Sequence, residues 1–195
     1  MQGLADGYFV APYTVSNYLA SEKPEKYDID HTEFNAAQKE IDDNIKKLLS
    51  INGNKTVDEI HKKLGRIMWN KVGMGRNEKG LKEAIDEIRE LRDDFWKNVK
   101  VVGVDNDINQ TLERAGKVAD YLELGELMAV DALDRNESCG GHFREEYQTK
   151  EGEALRNDDE YTYVSAWEFE EAGKWKLHKE PLEFENVKLA TRSYK

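Results

Sequence analysis

The stretch that decides the fold is Thr56–Val99, which reads TVDEIHKKLGRIMWNKVGMGRNEKGLKEAIDEIRELRDDFWKNV. Its apolar residues recur at steps of three and four, which is the period of an amphipathic α-helix. Thr56 and Glu59 match a capping box, in which two side chains satisfy backbone N–H groups at a helix start. Gly73–Gly75 interrupts the pattern, and Asn77 is a candidate cap for the next helix. We therefore predict two long helices with a short connection, which favours antiparallel packing.

A helix on the N-terminal side of this pair is predicted over Thr32–Leu49. Its apolar positions are Phe34, Ala37, Ile41, Ile45, Leu48 and Leu49. Asn52-Gly53-Asn54 should end it, because Gly and Asn tolerate the left-handed conformation that often closes a helix. This helix is expected to join the bundle.

A helix on the C-terminal side should be capped by Asp105 or Asp107. Its apolar positions are Leu112, Ala115, Ala119, Leu122, Leu127 and Ala129. Gly116 and Gly125 should let a neighbouring helix approach closely, because they carry no side chain. Together the patterns predict a mainly α fold, an antiparallel, spectrin-like bundle of three to four helices over residues 32–134.

The two ends of the chain differ from this bundle. Residues 1–20 are apolar on most sides and have no capping residue ahead of them, so they fit either the rear of a helix that begins upstream or an N-terminal helix with frayed ends. Pro12 should bend that helix. Residues 21–31 are polar and form a linker. Residues 135–195 predict a loop, a small antiparallel β-hairpin with alternating residues from Tyr161 to Phe169 and a turn at Ala172-Gly173, and an extended tail.

Composition excludes several function classes. The chain has 195 residues, 29 Lys and Arg against 40 Asp and Glu, and a formal net charge of −11, which disfavours nucleic acid as a partner. No apolar run reaches the ~18–20 residues of a membrane span, and the first 20 residues do not resemble a secretory signal. A single cysteine, Cys139, excludes an internal disulfide and fits the reducing cytoplasm.

Motifs for chemistry are sparse, and we predict no catalytic, cofactor-binding or metal-binding residue in this chain. The four histidines form no HExxH spacing, and Gly73–Gly75 fails the GxGxxG pattern. A hydrolase or transferase built on His142 has little support, because no orienting carboxylate can be placed beside it. One stretch is left unexplained by helix or strand patterns: Glu137–Arg144, ESCGGHFR, here called the 137–144 loop. Its candidate docking residues are Ser138, Gly140, Gly141, His142 and Arg144; a tight turn is the equally open alternative.

The same loop carries a resemblance to a known family. ESCGGHFR, followed by Asp158-Asp159-Glu160, resembles the E-S-R-G-x-H-x-R … R-D-D-E pattern of succinate dehydrogenase/fumarate reductase flavoprotein subunits. Met1–Phe9, Leu64–Trp69 and Arg192-Ser193-Tyr194 are similar to other segments in the C-terminal part of that family. Cys139 stands where the family pattern has Arg, so the role of that arginine would fall to Arg144 or another residue.

The resemblance implies a C-terminal helical domain without its own redox chemistry. In the full-length family member, an upstream domain binds FAD and a capping domain completes the substrate site for succinate–fumarate interconversion. Electrons pass to an iron–sulfur subunit and, indirectly, to a membrane cytochrome subunit at the cytoplasmic face of the inner membrane. Residues 1–20 would then be the stub of a helix from the flavin-binding domain, and the isolated chain would self-associate. The alternative is a freestanding acidic helical adaptor.

Overall fold

The computed structural model describes residues 2–105 and 107–191, without the side chain of Gln2. Arg192-Ser193-Tyr194, which carries part of the resemblance, lies outside the described residues. The chain divides into two compact units with a boundary after Asp43. Each unit is described by itself.

The first unit is a helical run followed by an extended segment and the start of α3. Helix α1 (Gln2–Ala5) continues into a π-helical segment (Asp6–Val10) and α2 (Ala11–Ser21). Pro12 is the second residue of α2, and the five residues that precede this helix, Asp6–Val10, adopt the wider π spacing. No residue of the π-helical segment or α2 is buried. Helix α3 (Thr32–Ser50) begins after the polar stretch predicted as a linker.

The core of the second unit lies between α4 (Val57–Lys71), α5 (Glu78–Asn98) and α6 (Gln110–Asp134). Each of these helices packs against the other two, which confirms the predicted bundle. Their fully buried residues include Ile60, Leu81, Ile88, Leu91, Phe95, Ala115, Leu122 and Ala129. The apolar faces that the sequence predicts for these helices are therefore the faces that pack together.

The predicted caps are present on two of the three bundle helices. The Thr56 hydroxyl accepts a hydrogen bond from the Glu59 N–H (3.2 Å), and Glu59 accepts one from the Thr56 N–H (2.7 Å). Asn77 caps α5 by accepting from the Gly80 N–H at 2.8 Å. The prediction of Asp105 or Asp107 for α6 is wrong. Asn109 is the cap, because its side-chain oxygen reaches two N–H groups of the first turn while its amide anchors the preceding loop.

The C-terminal end of helix α3, from Asn44, belongs to the second unit. Leu48 belongs to the core, whereas Phe34 and Ile41 are exposed. The bundle therefore has three helices, and the apolar stripe in the first half of α3 has no buried residue.

Close backbone approach, not a left-handed turn, explains Gly53. The residue is absent from the positive-φ glycines of the described chain. A Cβ there would lie 1.9 Å from the Asn98 carbonyl oxygen, because strand β1 (Lys55–Thr56) runs parallel to β2 (Val99–Lys100). Gly125 has the predicted role, since a Cβ there would lie 3.2 Å from Met68 Sδ, but Gly116 faces open space.

The predicted hairpin forms from β3 (Tyr163–Glu171) and β4 (Lys174–Pro181). It begins later than predicted, because Asp158–Tyr161 forms a short helix, α7. Hydrogen bonds hold the hairpin on the bundle. Trp167 Nε1 donates to Asp131 of α6 at 2.7 Å, and Arg89 Nη2 of α5 donates to the carbonyl of Gly173 at the turn, where φ is 77°, at 3.5 Å.

Candidate functional site

The 137–144 loop follows α6 and is closed at its base by two buried side chains. Ser138 Oγ accepts a hydrogen bond from the Arg144 N–H (2.8 Å) and donates one to the Arg144 carbonyl (3.1 Å). Arg144 Nη1 donates to the carbonyls of Ala132 (3.0 Å) and Leu133 (3.3 Å) at the end of α6. A cation at this position satisfies unpaired carbonyls and complements the helix dipole.

These bonds bury two of the predicted docking residues. The side chains of Ser138 and Arg144 are 0% and 1% exposed, respectively, and both form hydrogen bonds inside the chain. A partner would reach these side chains only by opening the loop, and docking by the loop stays a prediction. The exposed part that remains is Cys139, Gly140 and Gly141, here called the loop tip.

The loop tip contains a two-residue turn, Gly140-Gly141. Cys139 and His142 exchange both backbone hydrogen bonds, at 2.8 and 3.0 Å, and Gly140 has φ of 58°, which favours glycine. No atom of the described chain, beyond the flanking residues, lies within 4 Å of a Cβ placed on Gly140 or Gly141. The turn therefore explains Gly140, while the surface above both glycines is uncovered.

His142 is half-buried and joins the loop to two other segments. Its Nδ1 lies 3.0 Å from Arg76 Nη1 in the turn between α4 and α5, and its Nε2 lies 2.9 Å from the Arg135 carbonyl after α6. Burial lowers the pKa of His142 below the ordinary histidine value, and the positive charges of Arg76 and Arg144 act in the same direction. The ring is therefore neutral near pH 7.

The arrangement around His142 does not resemble a catalytic pair. Both ring nitrogens are taken up by Arg76 and by the Arg135 carbonyl, so neither is left to orient or deprotonate a nucleophile. Arg76 could not be predicted as part of this site, because it lies 66 residues before His142 and the pattern at Gly73–Gly75 indicates only a turn. Among the described residues, no three His, Cys, Asp or Glu side chains lie close enough to hold a metal ion.

A second exposed surface is an apolar groove between α4 and α6. It encloses about 220 Å³ and is lined by His61, Leu64, Gly65, Met68, Tyr121, Leu124, Gly125 and Met128. Trp69, near the end of α4, is 84% exposed. No helix among the described residues is long and apolar enough to cross a membrane.

Known proteins match most of the residues that form this architecture. Residues 61–194 match the family described as "Fumarate reductase flavoprotein C-term". A fumarate reductase flavoprotein subunit of Helicobacter pylori is 32% identical over 161 residues, which are 80% of this chain and 22% of that protein. An uncharacterized FAD-dependent oxidoreductase of Methanocaldococcus jannaschii is 30% identical over 138 residues, which are 70% of this chain and 24% of that protein.

A solved structure has a fold similar to that of this chain. A chain of E. coli quinol fumarate reductase matches with a TM-score of 0.75 and 20% identity, over 93% of this chain and 30% of that chain. At this identity the likeness concerns the fold alone. The present chain spans about a quarter of the length of the two curated relatives.

Proposed function

The chain belongs to the family of fumarate reductase flavoprotein C-terminal domains, and from this premise we propose that it is a scaffolding and docking domain of a longer flavoprotein. That flavoprotein interconverts succinate and fumarate by hydride transfer at FAD. The family match carries the proposal, because residues 61–194 include α4 from its second turn, all of α5 and α6, the 137–144 loop and the hairpin. The remaining three quarters of a relative's length give room for FAD-binding and capping domains.

Two exposed surfaces of this chain are proposed to contact those domains. The first is the helical run from α1 to α2, assigned above as residues 1–20, whose exposed apolar side chains include Leu4, Tyr8, Phe9, Val10, Tyr13, Val15, Tyr18 and Leu19. Exposed apolar area of this kind is typical of a surface that a partner covers. The second is the loop tip, with His142 as its support. Residues 21–31 are the linker, 32–134 the helical region, and 135–195 the loop, hairpin and tail.

The proposed assembly extends to further subunits. Electrons from FAD would pass to an iron–sulfur subunit and then, through a membrane cytochrome subunit, to quinone. The assembly would lie on the cytoplasmic face of the inner membrane. This chain would contribute packing surfaces, and the flavin chemistry would lie in the rest of the flavoprotein.

Absorbance and activity test the proposal. The purified 195-residue chain is incubated with FAD, desalted, and measured at about 450 nm, where oxidised flavin absorbs. It is then assayed for succinate-dependent dye reduction. We expect neither retained flavin nor turnover. Stoichiometric flavin or turnover by this chain alone would overturn the division of labour proposed here.

Sedimentation tests the docking role of the N-terminal helices. If another domain normally covers the apolar side chains of these helices, the isolated chain should self-associate. The double substitution Tyr8→Ser and Phe9→Ser should then reduce the association. Trp69→Ser is the matched control, because it also removes an exposed aromatic side chain but lies on α4. A monodisperse monomer, or an equal effect of Trp69→Ser, would count against this surface.

A further inference from the structure

His142 connects three segments that are distant in sequence. Its ring bonds to Arg76 (3.0 Å) and to the Arg135 carbonyl (2.9 Å). Next to it, the Arg76 N–H donates to the Phe143 carbonyl (3.1 Å), and the Glu145 N–H donates to the Arg76 carbonyl (2.7 Å). We propose that His142 is an acid-sensitive latch: the neutral ring ties the 137–144 loop to the turn between α4 and α5, and protonation of the ring releases it.

The hydrogen-bond partners determine which form of the ring fits. A carbonyl only accepts, so the nitrogen that faces Arg135, Nε2, must carry the proton. A guanidinium only donates, so the nitrogen that faces Arg76, Nδ1, must offer its lone pair. Only the neutral Nε2–H tautomer meets both requirements. Protonation places a hydrogen on Nδ1 directly against an Arg76 N–H, so the side-chain bond between His142 and Arg76 is lost, while the two backbone bonds still join the loop to the turn.

The charges around the ring also oppose a cation. Arg76 comes from the turn between α4 and α5, Arg135 from the end of α6, and Arg144 from the loop itself, and all three are positive. Two of these arginines already have a carboxylate partner: Glu137 pairs with Arg135 at 3.2 Å, and Glu146 pairs with Arg144 at 3.2 Å. Asp131 accepts a hydrogen bond from Trp167 at 2.7 Å. A protonated His142 would therefore add a positive charge beside Arg76 without gaining a carboxylate of its own.

The direction of the pH effect follows from this environment. Because the pKa of His142 in the folded chain is lower than the ordinary value of about 6.5, the folded ring takes up its proton less readily than the unfolded one. The contribution of the latch is complete above that ordinary value and is lost as the pH falls through the lower, folded pKa. This device is a property of the chain itself and does not depend on the function proposed above.

Nuclear magnetic resonance of the full 195-residue chain tests the latch. Long-range ¹H–¹⁵N spectra of the histidine rings give the tautomer and the pKa of His142. Amide hydrogen exchange, corrected for the intrinsic effect of pH, is followed in parallel at Glu145 and Cys139. Leu122 in the core of α6 serves as the internal reference, because it is fully buried and remote from the loop.

We expect the Nε2–H tautomer, a His142 midpoint below ~6.5, and at least a tenfold loss of protection at Glu145 with the same midpoint, while Leu122 stays protected. His142→Gln should abolish this pH dependence, because an amide side chain can both donate and accept but does not titrate. His178→Gln, which changes the exposed partner of Glu168, is the control and should leave it intact. An Nδ1–H tautomer, or protection at Glu145 that does not change as His142 titrates, overturns the proposal. Both of these outcomes are measured on the wild-type chain, so the test holds even if a variant is unstable.

Discussion

The buried carboxylate of Glu126 is the most demanding electrostatic feature of the bundle. Its side chain lies on α6 and is 0% exposed, and two arginines of α5 form ion pairs with it. Arg89 Nε lies 2.6 Å from one carboxylate oxygen, and Arg92 Nη1 donates to the other. Arg92 is 11% exposed and also contacts Glu123 at 3.2 Å. Glu126→Gln keeps the shape of the side chain and removes its charge.

The size of the expected loss of stability depends on how well the charges of Arg89 and Arg92 are compensated once residue 126 is neutral. Breaking a buried ion pair by removing one partner costs about 3–5 kcal/mol. The lower end applies here, because Arg92 keeps Glu123 and Arg89 is 46% exposed to water. We therefore expect a loss of about 3 kcal/mol in the free energy of unfolding, which corresponds to a fall of roughly 6–12 °C in Tm for a chain of this size.

Urea denaturation followed by circular dichroism at pH 7 measures this change. Glu123→Gln is the matched control: it removes a carboxylate from the same arginine, but its side chain is 35% exposed, so the loss should be about 0.5–1 kcal/mol. Combining Glu126→Leu with Arg92→Met should recover stability, because an apolar pair needs no compensating charge. A loss below about 0.5 kcal/mol for Glu126→Gln would refute the reasoning.

Three further predictions, for Gly53, Thr56 and Arg144, can be checked by the same denaturation experiment. Gly53→Ala should destabilise by about 1–3 kcal/mol or more, because its Cβ overlaps backbone atoms of Asn98, whereas Gly116→Ala, which faces open space, should stabilise by about 0.5–1 kcal/mol. An equal effect of the two would contradict the close approach. Thr56→Ala should cost about 1 kcal/mol by removing the capping box, and an unchanged unfolding midpoint would argue against the cap. Arg144→Ala should cost about 2–4 kcal/mol by leaving two buried carbonyls unpaired. Arg144→Lys should recover only part of this, because a lysine lacks the planar set of donors.

The helices could be predicted because their signals are local. The period of apolar residues from Val57 to Phe95 records which side of each helix faces the core, and the capping side chains Thr56 and Asn77 lie within three residues of the groups they bind. The cap of α6 was predicted wrongly for a related reason. Asp105, Asp107 and Asn109 are all suitable caps, and the choice depends on the fold of the preceding loop, which Asn109 also anchors.

The candidate site was predicted only in part. The 137–144 loop was singled out by its glycines and by its resemblance to a family pattern, and its tip is exposed. The burial of Ser138 and Arg144 could not be predicted, because both side chains are held by groups that reach them only after α6 and the loop have folded together. A local sequence pattern does not distinguish an arginine that caps a helix from an exposed arginine that can bind a partner.

The sequence by itself determined the class of fold, the three long amphipathic helices, the hairpin and the family, because each depends on periodicity or on residues close together in the chain. Only the tertiary structure decided which charges are buried and which segments His142 joins. Arg76 and His142 are 66 residues apart, and Glu126 is 37 residues from Arg89. Such pairs form when packing excludes water between distant segments, so the free energy of each charge depends on neighbours that the linear order does not specify.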